Sequence, residues 1–149
     1  MGTLSAAEVA QWKNDGFLSP FPLLDVRELE ACRQGVARYE AWLGAPINAD
    51  ANHKWRSMPY LLLPWAANLA RNPHILDRVE DLIGPDILIF TSTFFIKEPH
   101  SPTIAAWHQD STYFGLRPFD HVTAWVALCN VTADAGPVEF AVGSPADRN

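Results

Sequence analysis

His108 and Asp110 stand two positions apart in WHQDSTYFGL, residues 107–116, with aromatic residues on both sides. An imidazole nitrogen and a carboxylate oxygen together suit a borderline divalent metal such as iron(II). Residues i and i+2 of an extended strand share a face, so the spacing predicts that both side chains turn toward one ion. Gln109, between them, then points away or to the rim of the site. The same pair has a plainer reading as a surface ion pair. HExxH and nucleophile–base constellations are absent, which argues against a zinc hydrolase.

The segments that must position this pair divide the chain into a helical part, about 1–84, and a β part, about 85–149. In LSAAEVAQWKNDG, Ser5 is placed to cap a helix with Glu8 answering three residues later. Leu4 and Val9 flank the pair as a hydrophobic staple, and Gly16 ends the helix. LDVREL repeats the device with Asp25 and Glu28. Leu29, Cys32, Val36, Tyr39 and Leu43 then form one apolar stripe that stops at Gly44. Residues 45–63 lack a clear period and read as loop. A further helix starts near Pro64, and Pro73 interrupts and restarts it, since proline suits a first turn. Beyond Pro85, ILIFTSTFFI, HVTAWVALCNV and PVEFAV are rich in β-branched and aromatic residues and read as strands. The alternation in 122–129 suits a strand covered on both faces.

The 149 residues suffice for one domain with a real core, 48% hydrophobic and 19% charged. Six tryptophans and eight phenylalanines point to core packing or an aromatic pocket. Net charge is −6 with no cluster of Lys or Arg, so nucleic acid and anionic membranes are not expected partners. Cys32 and Cys129 each sit in an apolar pattern and read as buried free thiols of a reducing compartment, hence a cytoplasmic location. The N-terminus lacks the basic flank and apolar run of a signal peptide. No apolar run approaches about 18 residues, so no membrane span is expected.

Several pieces occur in the order of a known family. QWKNDGFL (11–18), FFIKEP (94–99), WHQDSTYFGL, VTAWVAL (122–128) and ADAGPVEFAVGS (133–144) resemble the phytanoyl-CoA dioxygenase family of iron(II)/2-oxoglutarate oxygenases. The likeness spans nearly the whole chain and is most specific from HQD to TAW. It implies an α+β fold in which N-terminal helices pack on a double-stranded β-helix, a jelly-roll or cupin-like core. It also implies a dioxygenase that hydroxylates a small organic substrate while 2-oxoglutarate is oxidatively decarboxylated to succinate.

By that resemblance His108 and Asp110 are two of three iron ligands, and Lys97 pairs with a carboxylate of 2-oxoglutarate. Gln109 and Trp125 line the cofactor pocket, while Trp107, Tyr113 and Phe114 wall the substrate side. From the residues alone, Lys97 is equally a solvated charge at a strand edge. Trp125 and the three other aromatics are equally core fillers. Related halogenating enzymes carry a small residue where Asp110 stands, so hydroxylation is expected here.

The chain departs from the family where a distal histidine and a following arginine are expected. After Asp110 come only His121, at the start of the next strand, and Arg117 and Arg148, none in the family's position. His100 lies in the EPHSPT loop, and His53 and His74 read as structural. GSPA, at 143–146, replaces the family's GSH. Two ligands bind iron(II) weakly, and a missing arginine removes a carboxylate clamp. The expectation is therefore a C-terminally truncated, partial domain with an incomplete β core, inactive or very weak alone. Alternatives are a non-catalytic jelly-roll binding module, or pseudoenzyme, and completion by a second copy or another chain through an open sheet edge.

Overall fold

The structure is a computed structural model that describes residues 3–102, 104–118 and 120–144. Arg148 and the Pro145–Ala146 end of GSPA lie outside the described residues. Helix α1 (Ala6–Asp15) opens on the expected capping box. The Glu8 amide donates to the Ser5 hydroxyl at 3.3 Å, and the Ser5 amide donates to Glu8 Oε2 at 2.7 Å. Helix α2 (Val26–Leu43) opens the same way on Asp25 and Glu28. Gly16 (φ 87°) and Gly44 (φ 74°) close the two helices in the left-handed region, where glycine carries no Cβ penalty.

Residues 45–63, expected as loop, contain a 3₁₀ helix (Asp50–Arg56) and the short α3 (Pro59–Leu62). Proline then opens both α4 (Pro64–Ala70) and α5 (Pro73–Ile83), with the Asn72 side chain accepting the His74 amide at 2.8 Å. The stripe of α2 faces the core: Cys32 and Tyr39 are buried, as are Ile47 and Ala66. Gly35, one turn before Tyr39, lies against the indole of Trp65, whose nearest atom would be 2.6 Å from an added Cβ. Tyr39 donates its hydroxyl to the Trp55 carbonyl at 3.0 Å. Phe94 enters this aromatic cluster from the second half, 6.2 Å from Tyr39 and 5.9 Å from Trp65 between ring centroids.

Beside Phe94 is the one antiparallel bridge among the described residues, Ser57 to Thr93. The Met58 amide donates to the Ser92 carbonyl at 2.7 Å, and the Phe94 amide to the Arg56 carbonyl at 2.9 Å. This is where the expected fold class fails. Helix takes 47% of the described residues, which form no named strand and no sheet, so the jelly-roll or double-stranded β-helix core is not present among them. ILIFTSTFFI keeps a strand-like alternation, with Ile87, Ile89, Phe94 and Ile96 partly covered and Leu88, Phe90 and Phe95 exposed. The physical reason is the ladder. β-Propensity measures how a side chain packs beside cross-strand neighbours, and a sheet needs about three strands to stand in water. Residues 122–129 likewise run without a partner strand and are not covered on both faces. Cys129, expected buried, is exposed there. No helix of the described residues is long and apolar enough to cross a membrane.

Candidate metal centre

The backbone around His108 differs from the expected continuous strand. Gln109 is extended (φ −114°, ψ 122°), and Asp110 is the first residue of a short helix, α6 (Asp110–Phe114). An extended residue followed by a helical turn still brings the flanking side chains together. His108 Nε2 and Asp110 Oδ1 lie 3.2 Å apart, each on a side chain less than half exposed.

The atoms that point away from each other are both anchored. His108 Nδ1 lies 2.7 Å from the Ala106 carbonyl oxygen, and Asp110 Oδ2 accepts the Thr123 hydroxyl at 2.6 Å. A neutral imidazole carries one N–H. Given to the Ala106 carbonyl, it leaves the Nε2 lone pair facing a carboxylate oxygen. That juxtaposition is satisfied by a second ring proton or by a cation between the two atoms. Two donors about 2.1 Å from one divalent ion, at right angles, lie about 3 Å apart. The spacing and chemistry of the pair therefore fit two adjacent positions on a metal, and a backbone carbonyl on the far imidazole nitrogen is the usual device that fixes a metal-binding tautomer.

Next to the pair opens a cavity of about 320 Å³, lined by Trp107, His108, Gln109, Glu139, Phe140, Ala141 and Ser144. The Gln109 side-chain amide donates to the Ser144 carbonyl at 2.8 Å, tying floor to wall. The wall is held by the first helix: Phe140 stacks on Phe17 with centroids 4.5 Å apart, and the Gly143 amide donates to the Asp15 carbonyl at 3.0 Å.

The other sequence candidates fall at different distances from this centre. Trp107 lines the cavity and is 70% exposed. Tyr113 meets the His108 ring edge-on at 5.6 Å. Phe114 instead packs between Phe90 (4.9 Å) and His121 (5.0 Å), which gives His121 an aromatic contact of its own. Lys97 lies over Gly136 and is not among the cavity-lining residues. Trp125, 48% exposed, does not line it either. His100 occupies a left-handed turn (φ 61°). Among the described residues no group of three His, Cys, Asp or Glu side chains converges as a metal site. Thr123 and the Glu139–Ser144 wall escaped the sequence reading, because 13 or more residues separate them from their partners and no local period marks them.

The family model described as phytanoyl-CoA dioxygenase (PhyH) matches residues 12–148. No curated protein and no solved structure matches the chain. With nearly its whole length covered, the chain belongs to the phytanoyl-CoA dioxygenase family.

Proposed function

We propose that this protein is an Fe(II)/2-oxoglutarate-dependent dioxygenase-type chain that hydroxylates a small organic substrate. Its iron would be held by His108 and Asp110. The observation that carries the reading is the 3.2 Å approach of Nε2 to Oδ1, with both outer atoms of the pair anchored, in a chain of this family. When bound, iron(II) and 2-oxoglutarate supply the activation of O₂, with 2-oxoglutarate decarboxylated to succinate.

The chain's own residues do the positioning. The Ala106 carbonyl orients the imidazole, and the Thr123 hydroxyl orients the carboxylate. Gln109 is the polar group offered to the co-substrate from the cavity floor. The family resemblance gives Lys97 as the cation for one of its carboxylates and Trp125 as a residue of its pocket, although neither lines the cavity beside His108. Trp107, Tyr113 and Phe114 supply apolar surface for the organic substrate.

A second reading, a non-catalytic binding module, is favoured by one observation: the described residues bring two ligand groups together and not three. Anaerobic titration separates the two. Addition of Fe(II) and 2-oxoglutarate is expected to give a weak visible charge-transfer band that disappears in both His108→Ala and Asp110→Ala. A spectrum without the band, or one untouched by either substitution, favours the binding module.

A further inference from the structure

We propose that the segments 87–96 and 122–131 form a self-association surface whose occupant is a second copy of this chain. A compact chain of 16.6 kDa exposes about 7,600 Å². This one exposes 10897 Å², about 3,300 Å² more. A standard interface covers about 800 Å² on each partner and an obligate one about 1,000–2,500 Å², so the excess is more than enough to supply one.

Most of the large apolar side chains left exposed sit in the second half. Leu88 is 92% exposed, Phe95 65% and Val142 70%, with Phe90, Trp125 and Val131 also open. Single exposed apolar residues are ordinary on a protein surface, but runs of them at strand spacing mark an interaction site. The backbone agrees. Among the described residues, 121–131 make no backbone–backbone hydrogen bond. The Leu128 carbonyl accepts from Arg33, and the N–H and C=O groups without a backbone partner are a template for another strand.

The lack of charge leaves nothing to oppose a second copy as the occupant. ILIFTSTFFI and VTAWVALCNVTA contain no charged residue and no proline, although the whole chain carries −6. Strand edges that must avoid their own kind carry lysine, a charge or a proline. These carry none, so like segments meet without repulsion, and antiparallel pairing of a segment with itself satisfies a two-fold axis. A cationic partner would find no carboxylate within these two runs to recognise.

Leu88→Lys and Ala127→Lys test the surface. Both side chains are exposed in the single chain, so neither substitution disturbs its packing. Sedimentation equilibrium of the wild type is expected to give twice 16.6 kDa. Each variant should weaken that association at least tenfold with an unchanged circular dichroism spectrum. Cys129, exposed in the single chain, serves as a second probe: its alkylation should slow as wild-type concentration rises and should not slow in the variants. Three results would overturn the proposal: a wild type that stays at 16.6 kDa at high concentration, a mixture without fixed stoichiometry, or a dimer that survives both substitutions.

Discussion

Each ring nitrogen of His108 faces an oxygen, and only one can carry the proton of a neutral imidazole. The 2.7 Å contact to a backbone carbonyl decides which, and it leaves Nε2 and Asp110 Oδ1 turned toward the same point. The Thr123 hydroxyl plays the matching part on the carboxylate. Groups one step behind a ligand are worth 10- to 100-fold in metal affinity in other sites. Thr123→Val should therefore weaken divalent-metal binding about tenfold by calorimetry, while the exposed position leaves the melting temperature nearly unchanged. The HxD spacing was legible as a sequence pattern. Its anchors were not, since a carbonyl carries no residue signature and Thr123 is 13 positions from its partner.

Cys32 shows the opposite environment. Burial pushes its thiol up from its ordinary value of 9.0, and the nearby Glu28 carboxylate adds to the effect. The folded chain thus holds this proton more tightly than the unfolded one. That contribution is fully present at neutral pH and is lost as pH rises through about 9 and beyond. Denaturant midpoints measured from pH 7 upward should fall more steeply above that point in the wild type than in Cys32→Ala. Parallel curves would show that the thiol is not the cause.

At the scale of elements, the helices obey local rules. Ser5 with Glu8, Asp25 with Glu28, Gly16 and Gly44, and the restart at Pro73 all carry their signal within four residues, and all could be read from sequence. The crossing of α2 over Trp65 could not, because Gly35 gains its meaning only from a side chain 30 positions away. Gly35→Ala should improve helix propensity by up to about 1 kcal/mol. It should nonetheless destabilise the protein by about 1–2 kcal/mol, because the new methyl meets the rigid indole rather than a flexible chain end. Chemical denaturation gives the sign directly, and a stabilised variant would show that the helix and ring part freely.

The β-rich segments mark where local reading stops. ILIFTSTFFI and HVTAWVALCNV carry the composition and alternation of strands, yet a strand is defined by its neighbours. Among the described residues only Ser57 and Thr93 meet across a ladder position, beside the Met58–Ser92 and Phe94–Arg56 backbone bonds.

Taken whole, the molecule is a helical half on which a largely extended half is laid by a few dispersed ties. These include the Ser57–Thr93 bridge, the Arg33 guanidinium donating to the Leu128 carbonyl at 2.7 Å, and the Phe17–Phe140 stack. The tie at Phe140 bears on the proposed site, because it holds a residue of the cavity that His108 also lines against Phe17, just beyond the first helix. In the proposed site His108 and Asp110 would grip one divalent ion through Nε2 and Oδ1. Imidazole ¹⁵N NMR with zinc as a diamagnetic stand-in for iron tests it most directly. Metal should shift His108 Nε2 alone and leave Nδ1 protonated against the Ala106 carbonyl, and in Asp110→Ala it should no longer shift Nε2. An Nε2 resonance that ignores the metal, or responds equally without the Asp110 carboxylate, would contradict it.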